Sequence, residues 1–157
     1  MPQSPAIRLA SEDDAQAIAL LIQAVAHYFL ADPSDGESAR FLSSFSKESV
    51  LGCITSPDFH YLVAVHGDDL IGAAALRDNR HIHHLFVSPA YQRQGIASLL
   101  WQHLKESAIR SGNTEGFTVN SSLYAVPVYS RWGFISTTGP QTKNGVSFQP
   151  MQLALAG

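Results

Sequence analysis

The chain has 157 residues, 45% of them hydrophobic and 15% charged, with a net charge of −3 at pH 7. That length suits a single domain over residues 1–157, and the balance excludes a disordered chain and leaves no basic footprint for nucleic acid. The one cysteine, Cys53, excludes an internal disulfide framework or thiolate zinc site. The N-terminus has no basic-then-apolar leader and no apolar run reaches the ~18 residues of a membrane span, so the expectation is a cytoplasmic protein without membrane partners.

Residues Ala6 to Leu9 read as a short strand. Ser11 then reads as an N-cap, with Glu12, Asp13 and Asp14 at the positive end of a helix. Ile18, Ile22, Val25 and Phe29 recur at helical spacing and predict a helix from about Glu12 to Phe29. The segment Ala31-Asp32-Pro33-Ser34-Asp35-Gly36 breaks it, and a second helix is expected from about Glu37 to Cys53. After the Ser56-Pro57-Asp58 turn the pattern changes to strands. Phe59 to Val65 and Leu70 to Leu76 flank the tight turn His66-Gly67-Asp68-Asp69. Gly72 and three alanines in the second of these leave room for something packed closely above. Asp78-Asn79 turns again, and Arg80 to Val87 is a further strand.

A helix from about Gly95 to Ser111 follows, with Ile96, Leu99, Leu100, Leu104 and Ala108 on one face and Gly112-Asn113 as its stop. Phe117 to Asn120 reads as a strand and Leu123 to Trp132 as a short helix. Phe134 to Thr137 and Ser147 to Leu155 read as two final strands joined by a loop. Hairpins in the middle require antiparallel pairing, whereas the β-α-β unit around Gly95 requires parallel neighbours. The expected fold is α/β: a mixed, mostly antiparallel twisted sheet of about six or seven strands with helices on both faces.

The chemistry concentrates in Tyr91-Gln92-Arg93-Gln94-Gly95-Ile96-Ala97. A glycine turn from a buried strand into a helix sets backbone N–H groups around an anion at the positive end of the helix dipole. Gly95 and Ala97 let a phosphate approach the backbone, and Arg93 adds a positive charge. A glycine opening a helix is common for packing reasons alone. The dinucleotide-binding pattern and the GxxxxGK[ST] phosphate loop are both missing.

This turn, Q-R-Q-G-I-A, resembles the [Q/R]-x-x-G-x-[G/A] signature of the GNAT superfamily of acyl-CoA-dependent N-acyltransferases. The preceding L-F-V-S-P-A-Y is similar to that family's strand and proline. The later stretch from Ala125 through Tyr129 to Gly133 and Phe134 resembles its A-x-x-x-Y-x-x-x-G-F motif. The resemblance covers about Phe59 to Thr137 well and the first 58 residues only in element order. It implies an N-acetyltransferase that moves the acetyl group of acetyl-CoA directly to an amine, with no metal. The strand before the turn would splay from its parallel neighbour. Backbone groups of Leu85, Phe86 and Val87 would then pair with the pantetheine arm. Arg93, Gln94, Gly95, Ile96, Ala97 and Ser98 would hold the pyrophosphate, and Asn120 would touch the pantetheine or adenine side. Tyr129 would lie near the thioester sulfur as general acid.

For the base, His81, His83 and His84 cluster, and strand alternation puts His81 and His83 on one face and His84 on the other. The His81–His83 pair is similar to the alternate histidines of the arylalkylamine N-acetyltransferases. Two half-buried histidines with polar partners is the plainer reading, and a zinc site lacks a third ligand. The acceptor would enter between the first two helices and the final hairpin, where Asp32, Asp35 and Glu37 in the loop after the first helix could attract a cation and Tyr28, Phe29, Phe41 and Phe45 could line a pocket. Both features equally describe a solvated loop and core aromatics. A small-molecule amine is the expected acceptor. A protein N-terminus or lysine, and a non-catalytic acyl-CoA-binding module, are the alternatives. Family members often pair through their late strands, which makes Met151 to Leu155 a candidate homodimer interface as well as a candidate buried strand.

Overall fold

A computed structural model describes residues 5–25, 46–92, 95–143 and 146–155. The strands are β1 (Ala6–Leu9), β2 (Phe59–His66), β3 (Asp69–Arg77), β4 (His81–Val87), β5 (Gly116–Ser122), β6 (Ile135–Ser136), β7 (Gln141–Lys143) and β8 (Val146–Ala154). The helices are α1 (Ala15–Val25), α2 (Lys47–Thr55), α3 (Ile96–Arg110) and α4 (Val126–Arg131). One sheet runs β1-β2-β3-β4-β5-β8-β6, with β7 also paired to β8. Among the described residues only β4 and β5 are parallel to each other. The fold is therefore the mixed, mostly antiparallel α/β sheet expected, with eight strands in place of six or seven.

Alternation along the strands feeds two cores, one on each face. Leu62, Ala64, Ala74, Leu76 and Ile82 pack with Ile96, Leu100, Trp101 and Leu104 of α3. Tyr61, Val63, Ala73 and Ala75 pack with Ala15, Ile18, Ala19 and Ile22 of α1 and Val50 of α2. This is the period of two expected of a strand buried on both sides. Gly72 shows why small residues fill β3: a Cβ there would lie 3.0 Å from Leu100 Cδ1, so α3 settles directly on the strand.

Several boundaries move. The first helix opens with a single 3-10 turn, Glu12–Asp14, before α1. The Asp14 carboxylate accepts from the Ser11 N–H at 2.7 Å and from both terminal nitrogens (Nη1 and Nη2) of the Arg8 guanidinium at 2.8 and 3.0 Å. Helix α2 starts after Ser46, whose hydroxyl accepts from Ser49 N–H. The expected starts and ends between residues 26 and 45 lie outside the described residues, as do the acceptor-side residues Tyr28, Phe29, Asp32, Asp35, Glu37, Phe41 and Phe45. On α3 it is Trp101 that is buried, and Leu99 only partly so. Trp101 packs edge-on to Phe117 and stacks on Trp132, which helical spacing within α3 alone does not anticipate. The strand β7 occupies what reads as loop. Its hairpin partner is the start of β8, across the Asn144-Gly145 dipeptide, a recognised hairpin signal. Met151 is buried within β8, so that part of the C-terminal segment is core. No helix among the described residues is long and apolar enough to cross a membrane.

Candidate active site

Parallel pairing of β4 with β5 lasts for two positions only, His81 opposite Thr118 and Ile82 opposite Val119. Beyond them β4 stays with β3 as far as Val87 opposite Gly72, and β5 stays with β8 as far as Ser122 opposite Phe148. The two strands diverge, and a cleft of about 970 Å³ opens between them. Leu85, Phe86 and Val87 line one side, and Asn120, Ser121 and Ser122 the other. Backbone groups that a neighbouring strand would satisfy therefore face a cavity, which suits a ligand carrying amides of its own.

Helix α3 begins at the mouth of this cleft, with Gly95, Ile96, Ala97 and Ser98 in its lining. Gly95 has φ +79°, a left-handed conformation that favours glycine, and a Cβ there would meet no atom within 4 Å. The left-handed turn, and not only close approach to an anion, accounts for the glycine. No side chain among the described residues caps the helix, and its first internal bond runs from Leu99 N–H to the Gly95 carbonyl. The amides of Ile96, Ala97 and Ser98 thus have no partner within the helix, at the positive end of a fifteen-residue dipole. Gln92 donates to the Val87 carbonyl at 3.2 Å and ties the turn to the end of β4. Arg93 and Gln94 lie outside the described residues.

Tyr129 lines the cleft from α4 with 5% of its surface exposed. Its ring stands edge-on to Trp132 and Phe134, both at 5.4 Å. Its hydroxyl has no hydrogen-bond partner among the described residues, and burial pushes its pKa upward, so the phenol is protonated at neutral pH. A buried, unpartnered hydroxyl costs stability unless a ligand uses it.

The histidines depart from simple alternation. In the β3–β4 ladder Ala75 faces His84 and Leu76 faces Ile82, so His83 is the extra residue of a β-bulge. The extra residue returns His84 to the side His83 occupies, and the two rings stack at 4.4 Å and 26°. The expected separation of His83 from His84 onto opposite faces is overturned for this reason. His83 lines the cleft, whereas His81 is not among its lining residues. His81 sits where β4 and β5 still pair, with Nδ1 2.8 Å from Thr118 Oγ1. Burial, with the Arg77 charge, lowers His81. Burial lowers His83 to about 4, helped by Arg77 and His81. The His83 residue meets solvent, but its ring is flanked by Phe59 and His84, which accounts for the desolvation. Of the other expected groups, Leu85, Phe86, Val87, Gly95, Ile96, Ala97, Ser98, Asn120 and Tyr129 surround the same cleft.

Arg131, Trp132, Ser121 and Ser122 also line the cleft and were not anticipated. The first two lie within three residues of Tyr129 in its motif, which is the signal that could have found them. The serines extend a strand whose end carries no local mark. Among the described residues no group of three His, Cys, Asp or Glu side chains is placed to hold a metal.

A family model described as an acetyltransferase (GNAT) domain matches residues 29–155. No curated protein sequence matches the chain. Solved structures of similar fold include a GCN5-related N-acetyltransferase from Rhodopseudomonas palustris, 21% identical over 99% of this chain and 98% of that one, with a TM-score of 0.82. The PaiA N-acetyltransferase of Thermoplasma acidophilum in complex with coenzyme A is 19% identical over 97% and 99%, with a TM-score of 0.77. YncA from Salmonella typhimurium, solved with acetyl-CoA, is 22% identical over 99% and 96%, with a TM-score of 0.67. At these identities the likeness establishes the fold.

Proposed function

The chain belongs to the GNAT family of acetyltransferases, and we propose that it transfers the acetyl group of acetyl-CoA directly to the amino group of a small molecule. The observation that carries this reading is the divergence of β4 from β5 after two paired positions, beside the start of α3 and the Tyr129 hydroxyl, neither of which has a capping or hydrogen-bonding side chain among the described residues. The three features surround one cleft. They match, in order, a ligand with backbone-like amides, a pyrophosphate and a leaving thiolate. The neighbours solved with coenzyme A or acetyl-CoA support the donor.

Acetyl-CoA supplies the activated thioester, and the residues of the chain supply the rest. The amides of Ile96, Ala97 and Ser98 hold anionic oxygens by hydrogen bonds and the helix dipole. The Leu85 to Val87 strand, which lines the cleft, orients the thioester arm. As the amine nitrogen bonds to the carbonyl carbon, the nitrogen becomes cationic and acidic, and His83, neutral above about pH 4, takes its proton directly or through water. The C–S bond breaks as Tyr129 donates its proton to the departing sulfur. No covalent intermediate on the enzyme is required.

A small acceptor is favoured because no described lining residue of the cleft is Asp or Glu, and a groove for a basic protein tail needs carboxylates. The test is release of free thiol from acetyl-CoA with a panel of small amines, a lysine peptide and peptide N-termini. Turnover restricted to peptides would overturn the small-molecule reading. Thermal stabilisation by coenzyme A without thiol release on any acceptor would favour a binding module.

A further inference from the structure

The catalytic proposal leaves two buried titratable groups unused. Tyr61 and His84 are 4% and 6% exposed, and both belong to the face of the sheet covered by α1 and α2. The Tyr61 hydroxyl lies 2.7 Å from His84 Nδ1. Burial raises the Tyr61 phenol and, with the neighbouring His83, lowers the His84 imidazole to about 3. Both groups are therefore neutral at pH 7, and one hydrogen bond joins the hydroxyl to Nδ1, its direction set by the His84 tautomer. A polar pair of this kind gains little over an apolar pair of the same shape, so its stability contribution does not account for it. Its position does. His84 is stacked on His83 at 4.4 Å, and Phe59 meets His83 edge-on at 4.9 Å. The bulge at His83 is what brings these rings to one side.

We infer that Tyr61 and His84 are positioning residues for His83: the Tyr61 hydroxyl fixes the plane of the His84 ring, and the stacked His84 ring fixes the plane in which His83 meets the cleft. The inference rests on the reading of His83 as the proton acceptor. The stack does for His83 what a hydrogen-bonding carboxylate does for many catalytic histidines, without adding a negative charge that would raise its basicity. The charged or titratable groups facing it among the described residues are Arg77 on β3, His81 and His84 on β4, Tyr61 on β2 and, behind Tyr61, Cys53 on α2.

Two variants of the full chain test this. Tyr61→Phe keeps the ring and its packing and removes only the hydroxyl. His84→Gln keeps a hydrogen-bonding group for Tyr61 and removes the stacked ring. The first readout is the NMR titration of the His83 imidazole, assigned by its loss in His83→Ala. In both variants its midpoint should move up toward the ordinary histidine value as the ring gains freedom to meet water. The second is a double-mutant cycle. Each variant should lower kcat on the order of tenfold with KM for acetyl-CoA unchanged, and neither should lower it further when His83 is already alanine. A variant that lowers Tm while the His83 titration and kcat stay at wild type would overturn the inference, as would equal rate losses with and without His83. If His83→Ala alone leaves the rate intact, the proton-acceptor reading fails, and the titration still judges the positioning. Should one variant not fold, the other decides.

Discussion

Replacing Tyr129 by Phe should separate stability from catalysis in opposite directions. The Tyr129 side chain is packed against Trp132 and Phe134, and its hydroxyl has no partner among the described residues. Phenylalanine keeps both ring contacts and removes a polar group that, if dry, costs about 1–3 kcal/mol. Water from the cleft offsets part of that cost, so the expected gain is about 0–2 kcal/mol. For a chain of this size ~1 kcal/mol corresponds to about 2–4 °C in Tm, so the variant should melt at the wild-type temperature or a few degrees above it. Its turnover should fall by about 10²–10⁴, the usual worth of a positioned general acid. That is roughly 3–5 kcal/mol of barrier. KM for acetyl-CoA should change little, because the proton is given up only as the C–S bond breaks. Melting by fluorimetry and thiol release from acetyl-CoA measure the two quantities on one preparation. A kcat within about threefold of wild type would remove the acid role, since even a modest general acid contributes more than that. A Tm several degrees lower would mean that the hydroxyl holds a partner in the free protein.

His83→Ala should abolish the acid limb of kcat/KM. His83 is neutral above about pH 4 and protonated below it, so activity should fall as pH drops through that value in the wild type and not in the variant. An unaltered pH–rate profile would exclude His83 as the acceptor. Gly95→Ala imposes a left-handed conformation on a residue with a side chain, which costs about 1–2 kcal/mol of stability. Its Cβ meets nothing, so the fold should survive. KM for acetyl-CoA should rise several-fold with kcat less affected, and an unchanged KM would argue against an anion at this turn. For Asp14, the Arg8 guanidinium bonded to it holds the carboxyl down to about 2, against an ordinary 3.8. Its contribution to stability is thus fully present above about pH 4 and is lost as pH falls toward 2. With Arg8 half exposed, solvent screening limits it to about 1 kcal/mol. Asp14→Asn should lower Tm by a few degrees at pH 7 and flatten the fall between pH 4 and 2, as calorimetry across pH would record.

Local signals carried the element order from Phe59 to Gly133. Hydrophobic period, turn residues at Gly67-Asp68 and Asp78-Asn79, and the small residues of β3 each act within a few positions of chain, so they are legible in one dimension. The glycine turn was equally legible, since its left-handed φ and the helix that starts behind it are local properties of the chain around Gly95. The surroundings of the reacting groups were not. His81 is engaged by Thr118, 37 residues away, and His84 by Tyr61, 23 residues away. The burial of Trp101 against Phe117 and Trp132 depends on three separate elements.

The bulge at His83 marks the boundary most sharply. From the sequence alone, a strand of period two assigns His81 and His83 to one side and His84 to the other. A ladder can take in one extra residue only relative to a partner strand, and β3 is that partner. The insertion that joins His83 to His84 is therefore a property of the pairing and not of β4. The same holds for the cleft. Residues 81–87 and 116–122 each read as strands, but their divergence after Ile82 follows from their commitments to β3 and β8 on their outer edges. Chain chemistry thus set which groups are present and on which elements, and sheet assembly set which of them meet.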